Sequence, residues 1–373
     1  MIKRYLESII EEKMGHGKAI VLFGARQVGK TTMLKNLLAG RDDVLWLNGD
    51  EQDVRNLFEN VSSTMLKTII GKKSVVVIDE AQRISDNGIG IKLITDNIPD
   101  VQVLATGSSS FDLSNKINEP LTGRKMEYWM YALSFGELVE HHGLLEEKRL
   151  LAHRLIYGSY PDVINNVGDE RMILTELANS YLYKDILMFD KIKKSDKLVK
   201  LLQALALQMG SEVSYNELAQ TCGLDPKTVK SYVTLLEQSY IIFRLGSFSR
   251  NLRNELKFAR KIYFWDCGIR NAVIGNYQML ESRLDTGVLF ENYMVAERLK
   301  RLRYEKSYAK SYFWRSKLKQ EIDYIEEMDG QLVAVEFKWN PNRKAAMPLS
   351  FSRSYPDVDF KVVTRDNFET YLL

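Results

Sequence analysis

The densest chemistry in the chain lies in eight residues, Gly24-Ala25-Arg26-Gln27-Val28-Gly29-Lys30-Thr31, with Thr32 directly after them. They fit G-x-x-x-x-G-K-[ST] throughout. Backbone N–H groups in such a loop converge on phosphate oxygens, and glycines stand where a side chain would collide with them. Lys30 sets a point charge against the β- and γ-phosphates. The Thr31 hydroxyl is a hard oxygen ligand for Mg²⁺. A helix opening near Gly29 turns its positive dipole end toward the same anion. Gly24 to Thr32 are therefore the expected binding residues for a nucleoside triphosphate with Mg²⁺.

Two strand ends further along complete a hydrolytic set. Val75-Val76-Val77-Ile78-Asp79-Glu80 is an apolar run ending in two carboxylates. Asp79 suits Mg²⁺ through its water shell, and Glu80 suits the base that polarises an attacking water. Val103-Leu104-Ala105-Thr106-Gly107-Ser108-Ser109 is another apolar run, ending in hydroxyls. Thr106 and Ser108 are the candidates to meet the γ-phosphate or that water. Arg124, in Leu121-Thr122-Gly123-Arg124, is read either as an arginine finger or as a solvated surface arginine. A finger supplied in trans implies a homo-oligomer.

With these residues in view, the sequence resembles the AAA+-type ATPases widespread in bacteria and archaea, in the group that carries a C-terminal domain of unknown function. The matching motifs are Gly24 to Thr32, Ile78-Asp79-Glu80-Ala81-Gln82-Arg83 and Ala105-Thr106-Gly107-Ser108-Ser109. The resemblance covers nearly the whole chain. It implies ATP as the nucleotide, a P-loop ATPase core, a winged-helix middle segment and a C-terminal region similar to PD-(D/E)XK nucleases. One departure stands out: the asparagine usual at the third strand is replaced by the Thr106 and Ser108 hydroxyls, which leaves the γ-phosphate sensor open.

The middle segment has helix-turn-helix spacing. Ser214-Tyr215-Asn216-Glu217 reads as a capping box, and Asp225-Pro226 opens a second helix with an Asp N-cap and Pro in the first turn. Ile241–Leu245 and Lys261–Trp265 then read as two strands of a wing, with Arg250, Arg253, Lys257 and Arg260 between them or at the border. Lys227, Thr228, Lys230, Ser231 and Thr234 could face phosphates or base edges. A module used only for packing or subunit contact would have the same pattern.

Near the C-terminus, Asp329-Gly330 signals a hairpin turn between Ile322–Glu326 and Leu332–Trp339. Glu336 and Lys338 fall on one face of their strand, with Asp323 on the neighbouring strand. An Asp followed by Glu-x-Lys is the arrangement of PD-(D/E)XK nucleases, in which paired carboxylates, here Asp323 and Glu336, hold Mg²⁺ and the lysine orients water. Glu291 resembles the additional helix glutamate of that group. A basic run from Lys300 to Lys319, interleaved with Tyr304, Tyr308, Tyr312 and Trp314, precedes the hairpin, as a nucleic-acid groove requires. Solvated charges on an ordinary amphipathic hairpin are the plainer reading.

These sites demand an α/β scaffold. Short apolar runs at Ala19–Phe23, Val44–Leu47, Ser74–Ile78 and Val101–Ala105 alternate with helical patterns, which argues for a parallel sheet with crossover helices. The expected plan is a P-loop NTPase core at 1–134, a helical lid or linker at 135–205, a winged helix-turn-helix at 206–280 and a restriction-endonuclease-like α/β domain at 281–373. The 373 residues carry a net charge of only +3, so any nucleic-acid face must come from local patches. Cys222 and Cys267 are expected as buried thiols in a reducing compartment. No apolar run approaches the ~20 residues of a membrane span, and the N-terminus is not a signal peptide, so a cytoplasmic location is expected. Two functions fit: an ATP-hydrolysing, DNA-associated protein whose nucleotide state controls DNA engagement, or a nucleotide-dependent switch for protein partners with non-catalytic C-terminal scaffolds. A small-molecule kinase lacks an acceptor site.

Overall fold

A computed structural model describes residues 2–108, 121–188, 195–249 and 260–373, with backbone alone for 180–188 and 195. Ser109, Arg250, Arg253 and Lys257 lie outside the described residues. The chain divides into two compact units. One is Met1–Ala132 with Gln238–Tyr240; the other is Leu133–Glu237 with Ile241–Leu373.

The first unit is built on five strands: β1 (Ala19–Gly24), β2 (Val44–Asn48), β3 (Val75–Asp79), β4 (Gln102–Gly107) and β5 (Lys125–Met130). Their order is β2-β3-β4-β1-β5, and every pairing is parallel. The four expected strands are present, shifted by a residue or two at their ends. Parallel strands covered on both faces must be apolar throughout, and Ala19 to Phe23 are all buried. Full burial of each large side chain in that run contributes about 1.5–3 kcal/mol. The parallel register puts the carboxyl ends of β1, β3 and β4 side by side: Leu22 lies opposite Thr106, Phe23 opposite Gly107, and Ile78 opposite Ala105. In open α/β sheets ligands bind at that edge, and Gly24, Asp79 and Ser108 all emerge there.

The second unit is helical from Phe135 to Leu207, apart from the undescribed stretch. Helices Tyr215–Cys222 and Pro226–Gln238 follow. Then come β6 (Ile242–Ser247), β7 (Arg260–Phe264), helix Thr286–Tyr304, β8 (Lys310–Arg315), β9 (Glu321–Met328), β10 (Gln331–Lys338) and β11 (Val358–Thr364). The six strands form one mixed sheet in the order β11-β10-β9-β8-β6-β7. β6 and β7 pair antiparallel, as a hairpin should, yet β6 also pairs with β8 through Gly246 opposite Tyr312 and Ser247 opposite Phe313. The sheet thus runs straight across the expected division near residue 280. The β9–β10 turn has Asp329 at φ 52° and Gly330 at φ 83°, the two positive values that a two-residue hairpin turn requires. Gly158 is equally constrained: at φ 70°, a Cβ there would meet the Asp266 carboxylate at 2.1 Å. No described helix is long and apolar enough to cross a membrane.

Candidate functional site

The loop after β1 is shaped by its backbone. A Cβ on Gly24 would lie 2.2 Å from the Met130 carbonyl oxygen, so only glycine lets β5 close against this turn. Gln27 and Gly29 both take positive φ, 58° and 95°. Helix Lys30–Leu37 starts directly behind them. Lys30 is buried, and its ammonium donates to the Gly24 and Ala25 carbonyls at 2.7 and 2.8 Å. Its charge is therefore already inside the loop. Ala25 and Val28 are buried, Arg26 is half-buried, and Gln27 and Thr32 are exposed. Arg4 braces the loop from outside: its guanidinium donates to Val28 O at 2.6 Å and to Tyr131 O at 2.7 Å. Nothing in the spacing of the sequence marked Arg4 for this task.

The strand-end residues join into one hydrogen-bonded chain. Thr31 Oγ1 lies 2.9 and 3.1 Å from the two Asp79 carboxylate oxygens. Thr106 Oγ1 donates to Asp79 Oδ1 at 2.5 Å and accepts from Glu80 N–H at 3.1 Å. Glu80 has a left-handed backbone, φ 49° and ψ 42°, and leads into the tight turn Ala81–Arg83. Such strain in a non-glycine residue persists only where surrounding contacts hold it. The turn brings Gln82 back over Glu80: Gln82 Nε2 donates to Glu80 Oε2 at 2.5 Å and to Ser108 Oγ at 2.9 Å. Lys30, Thr31, Asp79, Glu80, Thr106 and Ser108 are thus brought together, and Gln82 joins them unforeseen. The adjacent Thr31 hydroxyl and Asp79 carboxylate are hard oxygen donors suited to Mg²⁺, which takes one or two protein ligands and completes its shell with water and phosphate oxygens. The residues fit that ion.

Arg124 is not part of this set. Because Ala19 pairs with Lys125 and Gly24 with Met130, Arg124 lies at the opposite edge of the sheet. Six residues of strand separate the two edges, roughly 20 Å. Its side chain pairs with Asp96 at 2.6 Å, both groups partly exposed. A finger acting on the loop of its own chain is excluded by this placement.

The C-terminal set is brought together. The β9–β10 register ends at Val335 opposite Tyr324, and Glu336 and Asp323 are the next residues along the two strands. Lys338 Nζ lies 2.5 Å from Glu336 Oε2 and 3.5 Å from Asp323 Oδ2, and Asp323 also accepts from Phe337 N–H at 2.9 Å. Burial and the neighbouring Asp323 raise the Glu336 carboxyl above its ordinary pKa. Glu291, on helix Thr286–Tyr304, accepts from Tyr263 OH at 2.6 Å and pairs with Lys261 at 3.2 Å. Burial pushes Glu291 up to about 7, Asp323 adds to the rise and Lys261 opposes it. Among the described residues no three His, Cys, Asp or Glu side chains are placed to hold a metal ion. Asp323, Glu336 and Lys338 are thus brought together, with one oxygen of each carboxylate facing the ammonium.

The two other expected surfaces are partly consumed by internal contacts. Ser214 caps helix Tyr215–Cys222 through Glu217 N–H, and Asp225 caps the next helix through the Thr228 amide and hydroxyl. Thr228 is thus committed locally, while Lys227, Lys230 and Ser231 are exposed. In the basic run, Lys300 is buried against Glu297, Arg301 pairs with Glu305, Arg315 pairs with Glu212, and Arg303 lies over Trp265. Lys306, Lys310, Lys317, Lys319 and Tyr308 are exposed. Cys222 and Cys267 are both buried thiols.

Comparison with known families matches three successive stretches of the chain. Residues 16–139 match the family described as an AAA domain, 148–279 match a domain of unknown function (DUF8612), and 286–371 match another (DUF4143). The chain is 22% identical to the uncharacterized protein MJ1544 of Methanocaldococcus jannaschii, over 95% of this chain and 84% of that protein. It is 24% identical to an uncharacterized protein of Haemophilus influenzae, over 74% of each. Among solved structures, the Walker-type ATPase paby2304 of Pyrococcus abyssi superposes with a TM-score of 0.51 at 16% identity, covering 74% of this chain and 96% of that one. At that identity the likeness speaks to fold alone, and together with the AAA-domain match it shows that the chain carries an AAA-type P-loop ATPase fold.

Proposed function

We propose that the chain hydrolyses ATP with Mg²⁺ and that its nucleotide state controls engagement of DNA by the second unit. The observation that carries hydrolysis is the continuous chain Thr31–Asp79–Thr106–Glu80–Gln82–Ser108. A pure binding protein needs the loop and the ion ligand; it does not need a carboxylate fixed beside them. In this reading Lys30 and the loop amides bind the phosphates, Thr31 and Asp79 hold Mg²⁺, and Glu80 takes a proton from the attacking water. Mg²⁺, when bound, supplies charge neutralisation at the β- and γ-oxygens. Arg124 acts from a second copy of the chain. DNA engagement rests on the exposed Lys227, Lys230 and Ser231 of helix Pro226–Gln238.

Phosphate release from Mg-ATP tests the first part. Lys30→Ala should abolish turnover, whereas Glu80→Gln should keep ATP binding and lose ~10²–10⁴-fold in kcat, as for a removed general base. Unchanged turnover in both would sink the reading. For DNA, affinity measured with ADP and with a non-hydrolysed ATP analogue should differ, and Lys227→Ala with Lys230→Ala should reduce the salt slope by roughly 2.

A second reading is a nucleotide-dependent switch for protein partners, its second unit a non-catalytic scaffold. It is favoured by the pairing of Asp323 and Glu336 with Lys338, which balances part of their charge within the chain. No effect of any DNA on ATP turnover or binding would select it.

A further inference from the structure

The acidic cluster of the second unit contains its own counter-cation. Lys261 comes from β7, before the C-terminal segment begins, and its side chain is only 1% exposed. Its ammonium pairs with Glu291 at 3.2 Å and also with Glu321. Burial works against that charge, but Glu291, Glu321 and Asp323 together outweigh it, so the lysine is held above its ordinary pKa and stays charged. The ammonium also lies over the Phe313 ring, 5.4 Å from its centroid. Asp323 Oδ2 and Glu336 Oε2 meanwhile pair with Lys338. Four carboxylates, Glu291, Glu321, Asp323 and Glu336, are thus arranged around two ammonium groups. Mg²⁺ requires oxygens converging at ~2.1 Å on one point, and here one oxygen of each carboxylate, Glu291 Oε1, Glu321 Oε1, Asp323 Oδ2 and Glu336 Oε2, faces an ammonium nitrogen instead.

We propose that Lys261 is the resident cation of this cluster, standing where a divalent ion would have to sit, and that the cluster is a metal-free charge lattice fastening β7 to helix Thr286–Tyr304 and β9. The design has a physical logic. A buried carboxylate without a partner is strongly unfavourable, and a covalently tethered ammonium satisfies Glu291 and Glu321 at once without depending on metal supply. It also commits the second unit to binding or scaffolding, since a hydrolytic carboxylate site needs the ion that Lys261 displaces. The proposal is independent of the ATP reading, because its residues all belong to the second unit and the phosphate loop belongs to the first.

The test is Mn²⁺ binding to the full chain, freed of metal and nucleotide, followed by electron paramagnetic resonance. Wild type and Asp323→Asn should take up Mn²⁺ identically, any uptake at Thr31 and Asp79 being common to both. Lys261→Met should gain one further equivalent, at least tenfold tighter than any wild-type uptake at the cluster, and Lys261→Met/Asp323→Asn should lose it. Wild-type uptake that falls in Asp323→Asn would overturn the proposal, since the cluster would then hold a metal with Lys261 in place. So would a natively folded Lys261→Met, judged by circular dichroism and melting, that gains no Mn²⁺. Should Lys261→Met not fold, the wild-type and Asp323→Asn pair decides alone.

Discussion

Gln82 shows how much of a site can hang on one neutral side chain. Its carboxamide donates to Glu80 and to Ser108, joining the residue suited to activating water with the end of β4. Being uncharged, it fixes orientation without altering the charge at the reacting centre. Gln82→Leu keeps the volume and removes both donors. A hydrogen bond to a charged group is worth about 1.5–3 kcal/mol, so kcat should fall roughly 10- to 100-fold. KM for ATP should stay within about twofold, because Lys30, Thr31 and the loop amides are untouched and the loss falls only on the transition state. Ser108→Ala should cost less, and the double variant should cost little more than Gln82→Leu alone, since both remove the same link. Steady-state kinetics of the three variants decide this; a raised KM with unchanged kcat, or fully additive losses, would assign Gln82 to packing. The sequence displayed Gln82 within Ile78–Arg83 but could not display its role. That role depends on the left-handed backbone of Glu80, which folds position 82 back over position 80.

Strands buried on both faces were the most legible elements. β1, β3 and β4 lie inside the first sheet, so their sequences are unbroken apolar runs and their carboxyl ends could be placed in advance. β5 is an edge strand whose Lys125, Glu127 and Trp129 are only half-buried, and it carries no such run. β11 opens with charged and apolar residues in alternation, Val358-Asp359-Phe360-Lys361, and β8, three aromatics between Lys310 and Arg315, is embedded in a stretch that reads first as a basic groove. Its tie to β6 joins residues some 65 positions apart, and no local pattern encodes such a pairing. The Lys261–Glu291–Glu321 contacts were hidden for the same reason. Buried ion pairs between helices are another unannounced feature. Asp285, at the start of helix Thr286–Tyr304, accepts from Arg270 at 2.6 Å and from Arg283 at 2.8 and 2.9 Å. Burial would raise its pKa, but the two guanidinium groups outweigh burial and hold it down to about 2, from an ordinary 3.8. Between those values the unfolded chain binds the proton and the folded chain does not. The stabilisation is therefore complete above pH ~4 and is lost as pH falls toward 2. The shift nominally equals about 2.4 kcal/mol; with the side chain 28% exposed, solvent screening reduces it to about 1 kcal/mol. Asp285→Asn should lower the urea midpoint at pH 7 and flatten the acid limb between pH 4 and 2. An acid limb parallel to that of wild type would show that Asp285 does not titrate between the two states.

For the whole molecule, the net charge of +3 supplies no general attraction for polyanions, so association must be specific and local. Arg124 brings the question of assembly to one residue. It cannot reach the phosphates of its own chain, because the β1–β5 register sets it at the far edge of the sheet. Any contribution to catalysis must therefore come from a second copy. Its pair with Asp96 is a partly exposed one, worth about 0–1 kcal/mol, so Arg124→Ala should leave melting nearly unchanged. A lost finger, by contrast, costs ~10³-fold or more in kcat. The two effects are separable by mixing. Lys30→Ala has a dead loop and an intact arginine; Arg124→Ala has an intact loop and no arginine. Each alone should be inactive, and their mixture should recover turnover, because a loop from one chain then meets an arginine from the other. The specific rate of wild type should rise with chain concentration over the same range. Full activity of Arg124→Ala at every concentration, with no gain on mixing, would leave Arg124 as a surface partner of Asp96 and would remove the need for a second copy at this site.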